Sequence, residues 1–205
     1  MRTDLKVILT TIVIVSSLPV SGAAAEFDDP EWPCIQRRVP ELSIGQMWPG
    51  PPPEADRAAD PEARELARRI APRRVSVEEI SAAAAAALQG VPPEARPEWL
   101  ANLFAAILDR INSERGEIMS GIGRYATRQR AISEEIDAMN AELVALRQVP
   151  EAERNLDSIE EKQDALAWET RIYKDRAQSL TYVCETPVLL EQRAFTIARA
   201  LAALQ

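Results

Sequence analysis

The residues able to do chemistry are few. Cys34 and Cys184 are the chain's two thiols, and histidine is absent. Without histidine the usual general base near neutral pH, the commonest metal ligand and the axial ligand of an attached c-type haem are missing. The cysteines lie far apart and neither belongs to a C-x-x-C pair, so the redox-enzyme reading has little support. An even count outside the cytoplasm reads as a structural Cys34–Cys184 disulfide. Carboxylates could still serve an enzyme or hold a hard cation, but no D-x-D-x-D-G loop or carboxylate pair stands out. The expectation is no catalytic residue, no cofactor and no metal; an enzyme using carboxylates is a distant third reading.

What the chain does offer is charge in blocks. Between Glu134 and Asp164 ten acids face three bases: Glu134, Glu135, Asp137, Glu142, Glu151, Glu153, Asp157, Glu160, Glu161 and Asp164 against Arg147, Arg154 and Lys162. On either side lie Arg124, Arg128 and Arg130, and then Arg171, Lys174 and Arg176, diluted by Glu169 and Asp175. Such a field orients an encounter with a complementary protein surface. The plainer account is that exposed helices carry charge for solubility and helical ion pairs. Trp168 is the remaining candidate contact, either a recognition anchor or a residue covered by a third helix; cover is the slightly favoured reading.

These residues need elements to position them. The opening MRTDLKVILTTIVIVSSLPVSGAAAEF has a basic start at Arg2 and Lys6, an apolar run and an A-x-A site at Ala23 and Ala25. It reads as a signal peptide over 1–25 cleaved between Ala25 and Glu26, hence a periplasmic or secreted protein of about 180 residues. That length supports one real core. The whole chain carries a formal charge of −8, and the remainder one negative charge more. An acidic protein of this kind is a poor nucleic-acid binder. No later segment is apolar enough to cross a bilayer, so a protein partner in the cell envelope is expected.

From 26 to 59 repeated prolines favour an extended, polyproline-like strap. Trp32, Ile35, Val39, Leu42, Ile44, Met47 and Trp48 make it too apolar for a free linker. It reads as a clasp packed on the rest of the chain, with an exposed recognition peptide as the rival.

The remainder, 60–205, reads as one helical domain. Asp60 and Pro61 start a helix over about 60–71 that Pro72 stops. Ser76 and Glu79 form a capping box for a second over 76–89, ending at Gly90. From about 97 to 148 a heptad pattern holds without proline. Its a positions are Ala101, Leu108, Arg115, Ile122, Gln129, Ile136 and Leu143, and its d positions Phe104, Ile111, Ile118, Tyr125, Ile132, Met139 and Leu146. Twelve of these fourteen are apolar, which marks a coiled-coil seam. Pro150 interrupts, and the pattern resumes over 152–183, counting from Ala152 and Leu156. A short connection between two long helices predicts an antiparallel hairpin.

Layering a against d sets the register. It pairs Leu143 with Ile159, Ile136 with Leu166, Gln129 with Tyr173, Ile122 with Leu180, and Ile118 with Cys184, with Gln129 near the Tyr173 hydroxyl. Thr186 and Pro187 predict the start of a last helix over 187–204, with Val188, Leu189, Phe195, Ala198 and Leu201 as its apolar stripe. Gly116, Gly121 and Gly123 then lie at the joint, there either for close packing or as a hinge.

The fold class is therefore all-α: a small helical base bundle, a projecting antiparallel coiled-coil hairpin about 50 Å long and a proline-rich extended strap. The leading functional reading is a structural or adaptor protein whose acidic hairpin tip engages an envelope component. A periplasmic holdase-type chaperone is the alternative, and self-association stays open.

Overall fold

A computed structural model describes residues 31–53 and 60–205. The expected signal peptide over 1–25, the first residues of the expected strap and residues 54–59 lie outside the described residues. The described residues contain no strand. A short helix in the strap, α1 (Ile44–Met47), precedes α2 (Pro61–Ile70), α3 (Val77–Ala87), α4 (Arg96–Gln148) and α5 (Leu156–Ala202).

The early helices form as their caps dictate. Asp60 accepts a hydrogen bond from the Ala63 N–H at 2.9 Å, with Pro61 in the first turn of α2. Ser76 and Glu79 complete a reciprocal capping box at α3, with bonds of 3.1 and 2.8 Å. Each bond satisfies a backbone donor that the helix itself leaves open.

Helix α4 has 53 residues, about 80 Å at 1.5 Å per residue. Its first third is buried on nearly all sides: Leu100, Leu103, Phe104 and Ile107 are fully enclosed by α2, α3, the strap and the end of α5. Further along one stripe is covered, by α5 along the whole arm and, near the base, also by Trp32 of the strap beside Met119 and Ile122. This split divides base from arm.

The arm turns through a single 3-10 turn, Glu151–Glu153. Arg154 caps α4 by donating from Nη2 to the Val149 carbonyl at 2.9 Å. Asn155 caps α5 by accepting from the Ser158 N–H at 3.0 Å. The second hairpin helix thus starts at Leu156 rather than 152. Ala152 and Leu156 are exposed, and the seam begins at the buried Ile159.

The expected register is present. Leu143 and Ile159 are both buried. Gln129 Nε2 donates to the Tyr173 carbonyl at 2.7 Å, so its partner is the backbone and not the hydroxyl. Arg176 Nε then donates to Gln129 Oε1 at 3.2 Å, while its guanidinium lies 4.5 Å from the Tyr125 ring centre. Gln129 is a polar seam residue whose hydrogen bonds tie one helix to the other at a fixed level.

One expected boundary is absent. Helix α5 runs unbroken through 47 residues with Pro187 inside it, so there is no break after 183 and no separate last helix. Proline at N1 is a local preference, and here tertiary packing outweighs it. Cys184, Pro187, Leu190, Ala194, Ile197 and Leu201 recur at three- and four-residue steps and are buried along one continuous face. The stripe is therefore shifted from the expected one: Leu189 and Phe195 are half exposed.

Candidate functional site

The joint between base and arm is tied by a disulfide and by hydrogen bonds that link α4, α5 and the strap. Cys34 and Cys184 are at disulfide distance, 2.02 Å between sulfurs, with Cα atoms 5.5 Å apart. Around them Trp32, Met119 and Ile122 form a separate apolar cluster, with Ile118 and Leu180 packed on it. The strap is a clasp: Trp32 is 4 % and Trp48 7 % exposed, and Trp48 stacks on Phe104 at 5.3 Å between ring centres. The indole N–H of Trp32 reaches the Gln36 carbonyl at 2.6 Å, and that of Trp48 reaches Pro51 at 2.8 Å. Both buried indoles keep a hydrogen bond, as their burial requires.

Polar side chains of the helices replace the sheet partner that the extended strap lacks. Asn112 on α4 accepts from the Leu42 N–H at 2.9 Å and donates back to the Leu42 carbonyl at 3.0 Å. Arg115, only 2 % exposed, donates from Nε to the Pro187 carbonyl at 3.2 Å and from Nη2 to the Val39 carbonyl at 3.1 Å. One guanidinium thus links α4, α5 and the strap. Burial lowers its pKa from the ordinary arginine value, and Glu191 partly opposes that shift. Arg193 acts similarly in the base, donating from Nη2 to the carbonyls of Pro72 at 3.1 Å and Val75 at 2.8 Å. In the sequence Arg115 is legible only as a polar seam position, and nothing there singles out Asn112 or Arg193. The signal available was the interruption of a strong apolar repeat by a long donor-rich side chain.

The glycines do not serve close packing at the joint. Among the described residues a Cβ at Gly116 would meet nothing within 4 Å, one at Gly121 would approach only an arginine end at 3.8 Å, and one at Gly123 would lie an ordinary 3.6 Å from the Glu31 carbonyl.

The residues expected to bind a partner divide into two sets. At the tip, Glu142, Glu151, Glu153, Asp157, Glu160 and Glu161 are all exposed, and Glu142 pairs with Lys162 across the seam at 2.5 Å. In the belt, Arg124, Arg128, Arg130 and Lys174 are exposed, and Arg171 lies 3.9 Å from Asp175 one turn along its own helix. Arg176 is partly buried and belongs to the Gln129–Tyr125 tie described above. The register brings the two halves of the belt alongside one another. Trp168 is 61 % exposed and no third helix among the described residues covers it, which overturns the expectation of cover.

Clefts lie on both parts: one on the arm is lined by Ala126, Gln129, Arg130, Tyr173 and Leu180, and several open on the base. One of about 530 Å³ is lined by Arg73, Arg74, Arg110, Glu114 and Glu117, with Arg73 Nη1 3.9 Å from Glu114 Oε1. Among the described residues no group of three or more Cys, Asp or Glu side chains is placed to hold a metal ion. No described helix is long and apolar enough to cross a membrane. The disulfide-distance pair is compatible with an oxidising extracellular compartment.

The architecture defines an all-α protein with a clamped base and a projecting hairpin arm. No family model matches the chain, and neither a curated protein nor a solved structure matches it.

Proposed function

We propose that this is an exported, non-enzymatic adaptor whose arm presents an acidic tip to another cell-envelope protein. One observation carries the reading: a two-helix arm extends about 40 Å beyond the clamped joint, with its tip carboxylates all exposed. Helix α4 enters the arm from within the base core, and α5 is tied to the strap at Cys184, so the tip is held at a defined distance. The tip's negative field favours a basic partner surface. Signal cleavage after Ala25 and a periplasmic or secreted location belong to the same proposal.

The experiment is photo-crosslinking in cells from a probe at Asn155, with a second probe at Arg128 for comparison. The adaptor reading expects a discrete foreign adduct at Asn155 that is lost when Glu151 and Glu153 are changed to Lys. Loss of this adduct with the purified variant still helical would place the contact at the tip acids. A smear of adducts insensitive to those changes would instead favour a holdase-type chaperone, a reading that the exposed Trp168, Tyr182 and Leu189 support.

A further inference from the structure

The strap keeps a regular register along α4. Asn112 holds the Leu42 backbone, Arg115 holds the Val39 carbonyl, and a Cβ at Gly123 would lie 3.6 Å from the Glu31 carbonyl. In each of these three contacts the two residue numbers sum to 154. Trp48 on Phe104, beyond α1, departs from that value by two. The strap therefore runs antiparallel to α4 and advances one helix residue, about 1.5 Å, for each residue of its own. From Leu42 back to Glu31 it climbs out of the base, past the disulfide and toward the arm.

An open cleft of about 250 Å³ lies in its path. The α4 wall of the cleft runs from Ala126 to Ser133, Tyr173 and Leu180 of α5 line it too, and Pro33 of the strap already borders it. That wall begins about 4.5 Å above Gly123 and ends about 15 Å above it. Residues 26–30 lie outside the described residues, and Phe27 is the one large apolar side chain among them. Continued in the same register, Phe27 comes level with Thr127, about 6 Å above Gly123; a fully extended chain from Glu31 would carry it no further than about 14 Å. Both limits fall within the length of the cleft. Asp28 and Asp29 come level with Ala126 and Tyr125, between the belt residues Arg124 and Arg128. The Tyr125 hydroxyl is buried there with no hydrogen-bond partner among the described residues. We propose that Phe27, Asp28 and Asp29 continue the strap up the arm, with the Phe27 ring filling this cleft and the two carboxylates lying against the basic belt.

In this arrangement the clasp grips the molecule on both sides of the disulfide, the base below it and the arm above. The basic belt becomes the seat of the strap's own acids, and the acidic tip alone faces outward. The contact is independent of what that tip binds.

Photo-crosslinking within the purified exported protein tests the contact, with benzoylphenylalanine in place of Phe27. The expected product is an intramolecular adduct, at unchanged mass, to residues 126–133 of α4 or 173–180 of α5. Changing Asp28→Lys together with Asp29→Lys should lower its yield about fivefold or more by setting like charges together. Phe27→Ala should lower the thermal midpoint by about 3–6 °C with helicity unchanged, and Phe27→Leu should recover most of that shift. Adducts scattered over the base or the tip, adducts joining two copies, the absence of any adduct, or an exported chain that lacks Phe27 would each overturn the proposal. So would a yield indifferent to the two lysines, or a midpoint unmoved by Phe27→Ala.

Discussion

The guanidinium of Arg115 donates to the carbonyl of Pro187 at 3.2 Å, joining the two long helices at the level where the base ends and the arm begins. Its other arm holds Val39 of the strap at 3.1 Å. Two of the three guanidinium nitrogens are thus bonded while Nη1 is buried without a hydrogen-bond partner among the described residues, and removing the group strands the acceptors it serves. Arg115→Ala is therefore expected to destabilise the protein by about 3 kcal/mol. Arg115→Lys should recover only part of that loss, because an ammonium lacks the planar fork that reaches two carbonyls in different directions. Urea unfolding followed by circular dichroism measures both.

The two kinds of tryptophan should respond oppositely to truncation. Trp48→Ala removes a ring stacked on Phe104, and a loss of about 3–5 kcal/mol is expected. Trp168→Ala removes an exposed ring, and stability should stay within about 0.5 kcal/mol of the wild type. Denaturation midpoints separate the two.

Gly116 sits inside α4 with open space where a Cβ would go. Gly116→Ala should raise stability by about 0.5–1 kcal/mol through helix propensity and a less flexible unfolded chain. A drop in the thermal midpoint would contradict this and show that the position needs the freedom of glycine.

The disulfide spans 150 residues of sequence. In the chain-entropy model such a link contributes about 5 kcal/mol, and measured values are commonly lower. The Cys34→Ser, Cys184→Ser double variant, compared with the wild type with and without reductant, should lose about 2–5 kcal/mol while keeping its helical content. An unchanged unfolding midpoint would rule out this contribution.

Where the sequence carried a periodic or paired signal, the fold was readable. The caps at Asp60 and Ser76, the seam of α4, the hairpin register and the Cys34–Cys184 pair all rest on local or repeating patterns, and all are present. The continuity of α5 was hidden by a conflict between levels. Thr186-Pro187 signals a helix start, whereas the apolar face from Cys184 through Leu201 runs straight past it, and burial of that face prevails. The exposure of Trp168 was hidden for a related reason: it depends on whether another helix lies beside the arm, which no pattern within α5 specifies. The acidic tip was legible as composition. The ties made by Arg115 and Asn112 were not, since their partners are backbone groups of a strap seventy or more residues away.

The disulfide also has a topological consequence. Between Cys34 and Cys184 lie α2, α3, all of α4, the tip turn and most of the arm portion of α5, so the bond closes them into a covalent ring. A single peptide cut anywhere in the exposed tip, residues 149–155, opens that ring without releasing a fragment. The chain would pass from a closed circle to two branches meeting at one sulfur bridge, both still anchored in the base. Damage to the most solvent-exposed turn of the arm is thereby decoupled from loss of the arm itself.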